Sequence, residues 1–112
     1  MSGQEVVMVI TNLPDRATAD RVAEALVTQG FAACINILAE CTSVYQWEGK
    51  LNRTKEVPLL IKTTRAAYPR LESALRELHS YELPELIAVP VTAGLPAYLN
   101  WVAQETQPRN AS

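Results

Sequence analysis

The sequence has few of the residues on which catalytic and metal centres usually depend. Its 112 residues include one histidine, two cysteines and four glycines. A single histidine would have to do all the acid–base work, and no glycine-framed serine stands in the chain as a nucleophile. No glycine-rich phosphate loop is present either. We therefore expect a protein that is not an enzyme.

Cys34 and Cys41 are the two cysteines, and their spacing fits neither a Cys-x-x-Cys redox pair nor a zinc knuckle. Free thiols persist in a reducing cytosol. Residues 1–5 lack the charged region and the apolar region of an export signal. These features together predict a cytoplasmic protein.

Charge of one sign and long apolar runs are also missing. The formal net charge is -2, and the basic residues are scattered rather than gathered into a patch for nucleic acid. A charge so close to neutral also argues against an anionic membrane surface as the partner. No apolar run approaches the length of a membrane span. We expect neither nucleic acid nor a membrane among the partners.

The residues that are present predict one globular domain over residues 1–107 and a flexible tail over 108–112. Apolar periodicities alternate between two and 3.6 residues along this domain. Predicted strands cover 5–11, 33–48, 57–64 and 86–92, and predicted helices cover 15–30 and 67–78 and begin again at 96. A bulge or bend is expected at 39–41 in the second strand. Pro58 cannot donate a ladder hydrogen bond, so it is expected at an edge, a bulge or a non-bonded position. The order is βαββαβ with an extra C-terminal helix, which is the α+β ferredoxin-like arrangement.

The predicted hairpin between the second and third strands is much longer than the first and fourth strands. Its far end carries Val44, Tyr45 and Trp47, and the helices of the same chain are too short to cover it. Exposed aromatic residues on such a ribbon are typical of contacts with another protein chain. The alternative is a hairpin folded back over its own sheet. We favour a homo-oligomer with these three residues at the interface.

The most informative segment is 79–90, which begins with His79, Tyr81, Glu82 and Glu85 and continues into an apolar run. A histidine and two carboxylates before a strand are typical of the rim of a metal site, because imidazole suits copper and other transition metals. We predict that His79 and Glu82 bind a divalent cation weakly. The alternative is a loop whose polar residues only face water.

Several segments together resemble the CutA divalent-cation-tolerance family. They are 32–37, 42–50, 60–63, 79–90 and 98–101, which follow one another over nearly the whole chain. The resemblance implies a ferredoxin-like homotrimer with interlocking hairpins and a link to copper and other divalent cations. It implies no obligatory cofactor, although copper or another divalent cation is expected to bind.

Two departures from that family concern the copper site. The family usually has proline where Ser80 stands between His79 and Tyr81. Some bacterial members implicated in copper binding carry a cysteine at the position of Thr11 and a second histidine at that of Leu78. Neither a hydroxyl nor a leucine replaces a soft thiolate or an imidazole. The resemblance therefore predicts a weaker copper site here.

A ligand cleft is also predicted, formed by Cys34, Lys62, Tyr81 and Glu85 near His79, with a subunit boundary as its natural place. Lys62 would neutralise a carboxylate or an anionic ligand there; the alternative is a lysine that snorkels at a sheet edge. Cys34 has the alternative role of a small core residue. The second functional hypothesis is thus a trimeric signalling module similar to PII-type regulators, which binds a small anionic ligand.

Overall fold

A computed structural model describes residues 5–108 of the chain. The elements, in chain order, are β1 (Val6–Leu13), α1 (Arg16–Thr28), β2 (Cys34–Ile37), β3 (Cys41–Trp47), β4 (Lys50–Thr64), α2 (Tyr68–Leu78), β5 (Ile87–Pro90) and α3 (Pro96–Glu105). The predicted second strand is therefore two strands, β2 and β3. The predicted tail, 108–112, lies outside the described residues except for Pro108, and the domain boundary at 107 stays a prediction.

One antiparallel sheet organises the domain, with the strand order β2-β4-β1-β5 and with β3 paired to the outer half of β4. The long β4 and β1 are central, and β5 is an edge. This is the predicted ferredoxin-like fold with an extended hairpin. Helices α1 and α2 cover one face of the sheet, and α3 covers part of the other face.

The main core lies between the sheet and the two helices α1 and α2. Alternate residues of β1 and β4 point into it, as expected from the two-residue period of a strand, and it includes Val9, Leu13, Leu26, Leu59, Ile61, Leu71 and Leu75. A smaller cluster on the opposite face joins Val6 and Ala33 to Val102 of α3. The open face is therefore covered at one end only.

Local signals explain where α1 begins and ends. The Asp15 side chain accepts a hydrogen bond of 2.8 Å from the backbone N–H of Thr18, which satisfies one of the free donors of the first turn. This bond lowers the pKa of the exposed Asp15 carboxyl. Gly30 ends the helix with φ 77, a left-handed conformation that glycine adopts without a steric penalty. Both positions confirm the prediction.

The predicted break near 39–41 is confirmed, and Pro58 gives its physical reason. Leu38 donates its backbone N–H to the Pro58 carbonyl at 2.9 Å. Pro58 has no N–H to return to Leu38, so the β2–β4 ladder ends there and β3 pairs separately with β4. At the far end, Glu48 and Gly49 close the hairpin with φ 53 and φ 79, the backbone of a two-residue type I′ turn.

Several apolar residues of the predicted strands and helices are exposed in the protomer. The fourth predicted strand shrinks to β5, where Ile87 is 50% exposed. The helix residues Leu78, Leu95 and Tyr98 are also exposed, although their spacing placed them on the apolar faces of α2 and α3. None of the described helices is long and apolar enough to cross a membrane.

Candidate functional site

His79 lies at the C-terminal end of α2 and is 8% exposed. Its Nε2 atom is 2.8 Å from the carbonyl oxygen of Asn12, and its Nδ1 atom is 3.3 Å from the backbone nitrogen of Tyr81. A carbonyl only accepts and a backbone N–H only donates. Nε2 therefore carries the proton and donates to Asn12, whereas Nδ1 accepts from Tyr81.

This hydrogen bonding changes the role that the sequence suggested for the imidazole. Both ring nitrogens are engaged within the protomer, and the longer contact, at Nδ1, is the weaker one. Among residues 5–108 no group of three or more histidine, cysteine, aspartate or glutamate side chains is arranged to hold a metal ion. Glu82, the predicted co-ligand, is exposed on the loop. Within one protomer, His79 acts as an anchor of the loop that follows it.

The other end of that loop is fastened to β1. The Thr11 hydroxyl donates to the Glu85 carbonyl at 2.7 Å, and the Asn12 side-chain amide donates to the Glu85 carboxylate at 2.9 Å. Thr11 stands where the resemblance noted a cysteine in some bacterial relatives, and here its buried hydroxyl serves this contact. The loop between His79 and Glu85 is thus held at both ends by neighbouring residues of one strand.

Tyr81 connects the same loop to β4. Its ring lies 4.7 Å from the imidazole of His79, measured between centroids. Burial raises the pKa of the phenol to about 12, and the Glu56 carboxylate contributes further. Glu56 is itself 9% exposed. The sequence did not single out Glu56, because a glutamate beside Lys55 in a strand at the surface gives no sign that it will be covered.

A groove of about 610 Å³ opens between this loop and the hairpin. Its lining consists of hairpin residues and loop residues: Tyr45, Trp47, Thr54, Glu56, Tyr81, Glu82, Leu83, Pro84 and Glu85. Tyr45 is held by a hydrogen bond of 2.9 Å that its hydroxyl accepts from Thr54. Tyr81, Glu82 and Glu85 therefore line one groove together with Glu56.

Lys62 and Cys34 lie apart from these residues within one protomer. Lys62 on β4 pairs with Cys34 on β2 and with Met8 on β1. Glu85, in contrast, accepts a hydrogen bond from Asn12 of β1. Met8 and Asn12 are four residues apart on β1, which is roughly 13 Å at the usual rise of a strand. Lys62 donates to the Asn36 side chain instead. A cleft completed by another subunit stays a prediction.

Cys34 has a neighbour that the sequence did not indicate. Burial raises the pKa of the Tyr98 phenol, and contact with the Cys34 thiol adds to the effect. Tyr98 also lies 5.6 Å from Trp101 between ring centroids. Both cysteines are free thiols. Cys34 is therefore part of a half-buried patch between the sheet and α3, away from the groove.

Val44, Tyr45 and Trp47 divide between the two faces of the hairpin. Tyr45 and Trp47 face the groove, and Val44 points to the other side, as strand alternation requires. Their exposed fractions are 53% for Val44, 42% for Tyr45 and 41% for Trp47. All three thus leave apolar surface that another chain could cover, and their place at an interface stays a prediction.

Comparison with known proteins agrees with these features. Residues 7–105 match the family model described as CutA1 divalent ion tolerance protein. The chain belongs to the CutA1 divalent ion tolerance family. It is 39% identical over 103 residues to the divalent-cation tolerance protein CutA of Thermus thermophilus, covering 92% of this chain and 98% of that protein. The predicted family is confirmed.

Solved structures of the family share the fold. The crystal structure of CutA1 from Shewanella sp. SIB1 superposes with a TM-score of 0.89 at 37% identity, covering 91% of this chain and 95% of that one. A CutA from Archaeoglobus fulgidus, described as a periplasmic divalent cation tolerance protein, gives a TM-score of 0.88 at 27% identity over 91% of this chain and 99% of its own. The ferredoxin-like assignment is therefore confirmed.

Proposed function

We propose that this protein acts as a homotrimer in the response to divalent cations and that it binds copper weakly. The observation that carries the proposal of assembly is the apolar surface that one protomer leaves uncovered. Strand β5 is an unpaired edge with Ile87 half exposed, and Val44 is half exposed on the hairpin. Unpaired edges and contiguous apolar surface favour contact with another chain, and a closed ring of copies uses such edges without leaving one open.

For copper, the geometry favours Nδ1 of His79 over Nε2. The bond that Nδ1 accepts from Tyr81 measures 3.3 Å, against 2.8 Å for the bond from Nε2 to Asn12, so Nδ1 is released at the smaller cost. Glu82 is exposed three residues further on and is the proposed co-ligand. One imidazole and one carboxylate make a poor cage, so we expect modest affinity and displacement by simple chelators.

Lys62 supports a second candidate function, a PII-like module that binds a small anion. Lys62 lies on the open face of the sheet, where it stands between Met8 and Cys34. Asn36 accepts its hydrogen bond and so orients the ammonium group. A neighbouring subunit placed over this face would create a partly desolvated site for an anion.

The proposal also includes a cytoplasmic location and a role that is not enzymatic. We place the protein in the cytoplasm because both cysteines are free thiols, although the Archaeoglobus relative is described as periplasmic. We propose a binding role rather than an enzymatic one, since the family is described by ion tolerance.

Calorimetric titration of the purified protein with Cu²⁺, and separately with a panel of nucleotides, tests the two candidates. Heat released by Cu²⁺ and abolished in His79→Ala would support copper binding. Binding of a nucleotide that is lost in Lys62→Ala, with no response to Cu²⁺, would favour the anion-binding module instead. Light scattering on the same samples reports the oligomeric state.

A further inference from the structure

The groove between the hairpin and the loop after α2 has walls of two kinds. The rings of Tyr45, Trp47 and Tyr81 form one part, and the carboxyl groups of Glu56 and other acidic residues form the other. No lysine or arginine is among the described residues that line it. Lys50 pairs with Trp47 across the hairpin at its outer end, outside that lining. The groove thus combines π faces with negative charge.

Glu56 shows most clearly what kind of ligand this groove suits. Its side chain belongs to a residue that is only 9% exposed, and within residues 5–108 neither of the salt bridges involves it. The Tyr81 phenol lies near it, and the Glu56 carboxylate contributes to the raised pKa of that phenol. Buried carboxylates in proteins are usually paired with a cation. Glu56 has no such partner among the described salt bridges, so a cation in the groove could pair with it.

We propose that this groove binds a small alkylammonium ligand, whose positive nitrogen carries methyl or methylene groups. Such a cation is weakly hydrated and is attracted to aromatic faces, tryptophan most strongly. A small metal ion holds its water more tightly and gains little from apolar walls. The volume of about 610 Å³ lies within the range of small-molecule sites. Trp47 and Tyr81 would face the alkyl groups, and Glu56 would balance the charge.

This inference does not depend on the copper site, because it uses neither ring nitrogen of His79. It shares Glu82 with that site and shares Trp47 with the proposed subunit contact. Assembly and copper binding are therefore measured on the same samples, so that a failure of one proposal is distinguishable from a failure of another.

Calorimetric titration with tetramethylammonium chloride, at constant ionic strength, is the direct test. We expect saturable binding of tetramethylammonium and none of tert-butanol, which has a similar apolar shape without the charge. Glu56→Gln, which keeps the volume and removes the charge, should weaken the affinity by about tenfold or more. The matched control is Glu24→Gln on the exposed face of α1, which should bind as the wild type does.

Equal binding of tetramethylammonium and tert-butanol would overturn the proposal, as would an unchanged affinity in Glu56→Gln. Circular dichroism and light scattering verify the fold and the oligomer of each variant. If Glu56→Gln fails to fold, Trp47→Leu and Glu82→Gln serve in its place. Trp47→Leu removes the π face and Glu82→Gln removes an exposed charge of the lining, and each should lower the affinity; wild-type binding in both would also overturn the proposal.

Discussion

His79 and Asn12 are joined by a hydrogen bond of 2.8 Å from the ring Nε2 to the backbone carbonyl. The bond connects the end of α2 to the end of β1, two positions that are 67 residues apart in the sequence. Because His79 is buried, this bond is shielded from water. The tie holds the start of the loop that forms one wall of the groove.

Replacing this imidazole should therefore destabilise the fold. We expect His79→Ala to lower the free energy of unfolding by about 1–3 kcal/mol, because the Asn12 carbonyl loses its side-chain donor in a buried place. Chemical denaturation measures the change. His79→Gln is the matched control, since its amide can still donate to Asn12, and it should lose less. Equal stability of His79→Ala and the wild type would contradict the role of His79 as an anchor.

Trp47→Ala tests the proposed assembly. Truncating a buried aromatic residue at an interface commonly costs ~2 kcal/mol or more, so the variant should dissociate at higher protein concentration than the wild type. Light scattering over a dilution series follows this. Val27→Ala, which trims another exposed apolar side chain on α1, is the control and should assemble normally. A wild-type protein that is monomeric at micromolar concentration would contradict the trimer itself.

The parts of the fold that follow from local chemistry could be predicted from the sequence. Asp15 and Gly30 bound α1 because capping depends on a few neighbouring residues. Pro58 indicated an interruption in the ladder because the residue lacks an N–H wherever it stands. The buried face of β4 could be predicted because Val57 and Leu59 recur at every second position, and the residues between them face the other way.

The site could be predicted only in part, because it depends on register between distant strands. Lys62 and Glu85 both looked suitable for one cleft. Their partners on β1 are Met8 and Asn12, which are four residues apart. The burial of Glu56 results from the loop that crosses it, which no nearby residue indicates. Ile87 and Leu95 have the apolar character of core residues but remain exposed in the protomer. In the proposed trimer, another subunit would cover these apolar side chains.

Tyr81 should make stability depend on pH in the alkaline range. Burial and Glu56 raise the pKa of its phenol from the ordinary 10.0 to about 12, so the folded state favours the protonated form. The contribution of this shift to the free energy of unfolding is fully present below the ordinary pKa, and it is lost as the pH rises through about 12. Denaturation of the wild type and of Tyr81→Phe at increasing pH measures this. The difference in the free energy of unfolding between the two proteins should shrink at high pH. A constant difference would contradict the raised pKa of Tyr81.

Copper binding should depend on His79. The metal needs a ring nitrogen with a lone pair, and in His79 that atom is Nδ1. We expect the heat of Cu²⁺ binding to disappear in His79→Ala and to weaken in Glu82→Gln, while the neighbouring control Ser80→Ala binds normally. Because Nδ1 must release the Tyr81 N–H before it accepts a metal, the amide signal of Tyr81 should shift during a titration followed by NMR. Wild-type copper binding in His79→Ala would remove this residue as the ligand, and binding without the amide shift would show that Nδ1 is not the atom that copper contacts.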